Sequence, residues 1–344
     1  MITDMVSGSV VTFKRNPNYW FKNPAGPGKG DQLPYVDTLK LLVVVDVSTQ
    51  MAVMRTGRAD WITPVMSEDA RGLIKTNSKL QYKRFLPGAR GINFRIEKSD
   101  LPFKDVRVRQ ALMMATDFDA LKNDLYVGDA ETQVWPVASS FVNLFVPLEK
   151  MPTSVQSLYK YNPEKAKQLL AEAGYPRGFK TKLLVQNTSD QMDPAAVFKA
   201  MWAKVGVDIE LQPREPTTYV SIDTARSWEE MEINNTTFGV DTTGTYGFRS
   251  VRSAIYEWSD STVEDAFQEM QKYMFIGMPK ADEIYRKVLP HILEQAYVIP
   301  RPTPYSYTIW QPWLKNHYGE QSVSFWPPYA WIDQDIKEQM TGRK

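Results

Sequence analysis

Residues 180–212 hold three consecutive segments: a strand-length run from Lys180 to Gln186, a helix-length stretch from Pro194 to Val205 closed by Gly206, and a second strand-length run from Val207 to Gln212. Two strands joined through a helix lie parallel in one sheet with a right-handed crossover, because antiparallel neighbours need only a tight turn. One such unit commits the chain to the α/β class, with helices covering a sheet. Asp193 and Pro194 read as the cap and first residue of the helix, since Pro has no N–H to lose in the first turn and its fixed φ suits that position.

The clearest single element is Asn162–Gly174. Asn162 caps it, Pro163 opens it, Leu169 and Leu170 face inward and Gly174 ends it. Upstream, Val10–Lys14 alternates as a strand does, and Asn16-Pro-Asn starts a turn whose Tyr19 and Trp20 anchor it by burying their rings. Residues 21–35 are rich in Gly and Pro and read as a loop. Leu39–Val45 reads as a strand buried on both faces, followed by helices over Val47–Ala59 and 67–76 and a strand over Leu80–Leu86. Asp105 caps a helix over Val106–Thr116; two more span Thr262–Phe275 and Lys280–Gln295, the latter kinked at Pro290. Tyr305–Trp310 reads as a strand and Phe325–Trp331 as an aromatic loop.

A length of 344 residues allows two domains or one large elaborated one. Lys and Arg number 41 against 40 Asp and Glu, so no basic field exists to hold a phosphate backbone, which excludes a dedicated nucleic-acid binder. The chain has no cysteine, which removes disulfides, thiolate metal sites and cysteine nucleophiles together. No run approaches a membrane span, and residues 1–10 lack the basic start and apolar stretch of an export signal.

Catalytic constellations are missing. The two histidines, His291 and His317, lie far apart; Glu294 is three residues from His291 but no further ligand joins them. There is no Gly-x-Ser-x-Gly elbow and no His-Glu-x-x-His motif. Gly26-Pro-Gly-Lys-Gly30 superficially resembles a phosphate loop but precedes no helix, and Pro27 removes a donor such a loop needs. Carboxylate pairs such as Glu229 with Glu230 or Asp333 with Asp335 leave glycosidase chemistry open, since their separation in space is not written in the sequence. Aromatic residues make up 12% of the chain, including 10 Trp and 17 Tyr. The profile is that of a binding protein without catalytic residues, metal or cofactor.

Val11-Thr-Phe-Lys-Arg-Asn-Pro-Asn-Tyr-Trp20 resembles the extracytoplasmic solute-binding proteins of ABC importers, family 5, the oligopeptide and dipeptide class. Pro34–Lys40 leading to Met51–Asp60, then Pro102-Phe-Lys-Asp-Val-Arg-Val-Arg-Gln-Ala-Leu112, then Tyr161–Gly174 with Trp202–Val207 match the same family in order. The resemblance implies a periplasmic-binding-protein-like two-lobed α/β fold (type II, cluster C), here without the small domain II and the first strands of domain I. On that basis residues 1–90 and 313–344 are the remainder of domain I and residues 91–312 domain III. The hinge is expected near Leu86–Asn93 and Trp310–Lys315, closing on a ligand. The resemblance further implies an extracytoplasmic location through an export signal upstream, ABC permease subunits as partners, and no cofactor.

By the same resemblance, Phe238–Thr245 stands where peptide binders carry an aspartate that meets the ligand ammonium, which places Asp241 as a cation anchor. Phe replaces the family's Trp there, and Gly244-Thr245 its second Asp-Pro. Arg90 and Asn93 at the hinge, Arg95 just beyond, Trp135 before Pro136, and Tyr246 with Arg249 after the Asp241 loop are the other expected ligand contacts, Arg for a carboxylate or phosphate and Trp for stacking. Two readings of the whole follow: capture of an oligopeptide or similar small polar solute for import, or an interaction module that retained the fold. An unpaired sheet edge would let an otherwise monomeric chain self-associate.

Overall fold

The computed structural model describes residues 1–26, 28–235, 260–273, 276–323 and 326–343. Contacts divide the chain into two units, Met1–Phe85 with Tyr305–Lys344 and Leu86–Pro304. The division falls earlier than the expected boundaries at residues 90 and 312. Arg90 already lies in a ladder of the second unit, and Ser306–Trp310 in a ladder of the first.

The first unit opens with strands β1 (Ile2–Val6), β2 (Val10–Lys14) and β3 (Thr38–Leu42), an antiparallel meander in that order. None of its strand residues is buried, and β3 alternates exposed with half-buried instead of being covered on both faces. Trp20, expected to bury its ring, is 81% exposed. Helix α1 (Val47–Arg55) is capped by Asp46, whose carboxylate accepts from Thr49 N at 2.7 Å. It stops short of Ala59 because Gly57 takes a φ of +63°, with the Trp313 ring where a Cβ would sit. Strand β4 (Trp61–Met66), helix α2 (Ser67–Thr76) and strand β5 (Gln81–Phe85) follow.

The second unit contains strand β6 (Arg90–Phe94), helices α3 (Val106–Met114) and α4 (Phe118–Tyr126), strand β7 (Ala130–Glu131) and helices α5 (Thr153–Leu158) and α6 (Pro163–Glu172). Strand β8 (Phe179–Gln186), helix α7 (Ser189–Ala203) and strand β9 (Val207–Arg214) come next, then helix α8 (Pro216–Thr224) and strand β10 (Met231–Asn235). Helices α9 (Ser261–Gln271) and α10 (Met278–Glu294) and strands β11 (Val298–Arg301) and β12 (Thr303–Pro304) complete it. The main sheet runs β11-β6-β10-β8-β9. β8 pairs parallel with β9 over its whole length and with β10, as the strand-helix-strand reading requires. β6 is antiparallel to both β10 and β11. One continuous core fills this unit, with Ile92, Phe94, Phe103, Leu112, Phe198, Trp202, Ile233, Tyr285 and Ile299 fully buried.

α6 forms as read, with the Asn162 side chain accepting from Lys165 N at 3.0 Å. α7 departs from its reading. It starts at Ser189, and Pro194 lies inside it instead of at its first position.

The chain returns to the first unit as β13 (Ser306–Trp310), which lies between β4 and β5, followed by β14 (Leu314–Lys315), β15 (Trp331–Ile332) and helix α11 (Gln334–Thr341). This unit has its own smaller cores, around Met54, Val65, Leu73 and Ile309, and around Trp310, Leu314 and Trp326.

Candidate functional site

In the second unit, Arg301 on β11 stands directly opposite Arg90 on β6, and Ile299 opposite Ile92. Directly opposed residues share a face of the sheet, so both arginines continue the face that Ile92 and Ile299 bury in the core. They lie where that face runs out, beyond the carboxyl end of β8 and beside the start of α7. Crevices outside the carboxyl ends of parallel strands are where open α/β sheets bind ligands.

The start of α7 completes the cluster. Arg90 Nη1 pairs with Asp190 Oδ2 at 2.5 Å, and Thr188 Oγ1 donates to Asp190 Oδ1 at 2.6 Å. Arg301 Nη1 donates to the Asp190 carbonyl at 2.6 Å. That last bond explains how a proline sits inside α7. Pro194 has no N–H to give the carbonyl four residues back, which is that of Asp190, and the Arg301 guanidinium takes the place of the missing donor.

Arg301 is 6% exposed, while the side chains of Arg90 and Asp190 are 26% and 50% exposed, so the cluster has a sealed side and a wet one. On the sealed side Arg301 Nε and the Tyr126 hydroxyl are shut off from solvent with no hydrogen-bond partner. Burial drives the Arg301 pKa below its usual value, with Tyr126 opposing that and Arg90 adding to it. Burial raises the Tyr126 hydroxyl, while Arg301 pulls it back. Burial would also raise Asp190, but the bond from Thr188 and the charges of Arg90 and Arg301 outweigh it and hold the carboxyl below its usual range.

The other expected contacts lie elsewhere. Asn93 is on the opposite sheet face, with its Nδ2 3.4 Å from Glu232 Oε1. The Arg95 guanidinium pairs with Glu97, donates at 2.8 Å to the carbonyls of Arg226 and Trp228, and lies 5.1 Å from the Trp228 ring centroid. Trp135, after which the peptide bond to Pro136 is cis, is 1% exposed in the core. Asp241, Tyr246 and Arg249 lie outside the described residues. Of the expected residues described, the structure brings Arg90 alone into the cluster. Arg301, Asp190 and Tyr126 were missed, and the one signal in the sequence was an arginine ending the apolar run Val298-Ile-Pro-Arg301. Among the described residues no group of His, Asp or Glu side chains could hold a metal ion.

Residues 1–263 match the model of the bacterial extracellular solute-binding proteins, family 5. Heme-binding protein A of Haemophilus influenzae is 31% identical over 250 residues, 70% of this chain and 40% of that protein. Glutathione-binding protein GsiB of Pectobacterium atrosepticum is 30% identical over 67% of this chain and 40% of its own length. The periplasmic binding protein DppA of Helicobacter pylori, solved with the peptide STSA, superposes with a TM-score of 0.72 at 20% identity, covering 96% of this chain and 62% of that one. HbpA2 of Haemophilus parasuis gives 0.72 at 21% identity, covering 97% and 63%. The chain thus spans about two fifths of the length of the curated relatives it matches.

Proposed function

This chain belongs to the bacterial extracellular solute-binding proteins of family 5, and from that premise we propose that it captures an oligopeptide or similar small polar solute outside the cytoplasm and delivers it to the permease subunits of an ABC importer. It does so by binding alone, without catalysis. The observation that carries the reading is the Arg90, Asp190 and Arg301 cluster at the carboxyl end of β8, a polar group set into the end of an apolar sheet face. The relatives bearing the names heme-binding and glutathione-binding, and a structural neighbour solved with a peptide, support solute binding and set the chemical range to test. Asp241, Tyr246 and Arg249 belong to this proposal as further ligand contacts.

Thermal unfolding with pools of oligopeptides, glutathione, haem and oligosaccharides tests it. A rise in melting temperature with one pool supports the reading and names the solute class. A cooperative melt that no pool moves counts against it.

A second reading, an interaction module that retained the fold, is favoured by the β1–β3 meander, where Ile2, Met5, Val6 and Leu42 are each more than half exposed. Apolar strands left open in this way pair with other chains. Light scattering over a hundredfold concentration range separates the two. A constant monomer mass removes the second reading, and concentration-dependent assembly supports it.

A further inference from the structure

The first unit holds a cavity that the solute-binding reading does not use. It measures about 520 Å³, within the range of small-molecule sites, and all its lining residues belong to that unit. Trp310 and His317 are its buried members, while Tyr82, Tyr318 and Trp331 line it and stay exposed. Single exposed rings are ordinary on a protein surface, but five rings around one concavity, three of them open to water, form an unfilled contact surface. The strands hold these rings in place. Tyr82 packs against Tyr307 at 6.1 Å between centroids, and Trp310 meets His317 edge to face at 4.8 Å. Trp331 stands directly opposite Lys315, so both lie on one face of the β14–β15 ladder, while Leu314 and Ile332 take the other face and join the core. Lys83 lies across Gly319, whose φ of +90° and missing Cβ leave it room.

Charge narrows the ligand. Lys83 and Lys315 both line the cavity, and none of its lining residues is acidic. Lys315 Nζ donates to the carbonyl of Pro312, another lining residue, at 2.8 Å, which keeps the ammonium at the rim. The acids of the adjoining loop and helix are engaged there: Glu320 accepts from Tyr318 N at 2.7 Å and stands 2.9 Å from His317 Nδ1, and Asp333 caps α11 by accepting from Ile336 N at 3.1 Å. We propose that this cavity is a second binding site, in a different unit from the arginine cluster, for a sugar ring that carries a carboxylate. Such a ring has an apolar face of C–H groups, which lies on aromatic rings as other apolar groups do, and a rim of hydroxyls. The hydroxyls exchange hydrogen bonds with Gln81 and Asn316; the Asn316 Nδ2 donates to the Tyr329 carbonyl at 3.1 Å, which leaves its Oδ1 to accept. The carboxylate meets the lysines. A flat aromatic acid would satisfy the rings and lysines but leave both amides to water.

The test titrates the full chain calorimetrically with trigalacturonate, maltotriose and benzoate, at low and at high salt. Trigalacturonate is expected to bind severalfold more tightly than maltotriose at low salt, as surface ion pairs allow, and to lose most of that advantage at high salt, where the lysines are screened. Tyr318→Ser, at an exposed position, weakens both sugars without lowering the melting temperature. Lys83→Gln combined with Lys315→Gln removes the preference for the acid and leaves maltotriose unchanged; should that double variant fail to fold, Tyr318→Ser and the salt dependence carry the test. The proposal fails if the two sugars bind equally, if benzoate binds more tightly than either, or if Tyr318→Ser leaves trigalacturonate binding unaltered. It fails equally if none of the three binds, and the solute-binding reading, which rests on the second unit, is untouched by that result.

Discussion

At the scale of single residues, the stretch Pro102–Leu112 acts through Arg109 as a clamp inside the fold. Its guanidinium is 3% exposed, donates from Nε to the Gln295 carbonyl at 2.9 Å and from Nη1 to the carbonyls of Phe103 and Lys104 at 2.6 and 3.1 Å, and lies 5.3 Å from the Tyr297 ring centroid. Burial lowers its pKa to about 10, so it stays charged at neutral pH. A fork with fixed donors satisfies three carbonyls on two segments, which a point-like ammonium cannot do. Arg109→Met is expected to cost about 3 kcal/mol by stranding those carbonyls, and Arg109→Lys to recover less than half of it, read by urea unfolding. His317 is a second residue with a defined consequence. It is packed among the rings of Trp61, Trp310 and Trp326 at centroid distances of 6.0, 4.8 and 4.4 Å, with Nδ1 2.9 Å from Glu320 Oε2. Burial lowers its pKa below 6.5, and Glu320 only partly opposes this. A folded pKa below the unfolded one means that the folded state binds fewer protons, so this stability is complete above about pH 6.5 and is lost as the pH falls through the folded value. Between pH 7.5 and 5 the first unit should therefore lose stability through His317, read as a falling urea midpoint. His317→Phe should flatten that pH dependence; an unchanged slope would assign it to other groups.

At the scale of elements, what could be read from the sequence depended on whether the determinants were local. α6 was legible because its cap, its first proline and its closing glycine all lie within its own residues. α7 was misread for the opposite reason. Pro194 is a sound signal for a helix start, and it is overridden by a guanidinium 111 residues away that takes the carbonyl the proline leaves empty. The same bond hid the candidate site: Arg90 stood at a position the family resemblance marked, whereas Arg301 gained its meaning only from a strand register. β3 shows a third kind of departure. Its apolar composition matches a covered strand, yet burial is set by what packs on a strand, and the meander it belongs to has no buried residue. Three strands without a buried residue are held mainly by ladder bonds, the least cooperative kind of structure. Hydrogen exchange should therefore find the amides of β2, paired on both sides, exchanging orders of magnitude faster than those of β6, which is equally central but buried. Equal protection in the two strands would show that the meander is covered in solution.

At the scale of the whole molecule, the two units have cores of unequal size and should unfold differently. The second has one continuous core with several aromatic side chains fully buried; the first divides its buried residues between two small clusters and carries a meander outside both. Stability from burial grows with the apolar area removed from water, so the first unit is the weaker. Calorimetry at neutral pH is expected to resolve two transitions, the lower from Met1–Phe85 with Tyr305–Lys344 and the upper from Leu86–Pro304. This separation makes the functional proposals readable in one experiment. The arginine cluster is built wholly from residues of the second unit, so a solute held by it must raise the upper transition. At a hundred times its dissociation constant the gain is about 2.7 kcal/mol, or about 5–10 °C for a unit of this size. A solute that raises only the lower transition binds in the first unit, and the cluster is then not its site. The His317 contribution, by contrast, belongs to the lower transition alone, so lowering the pH and adding solute should move different halves of the same melting curve.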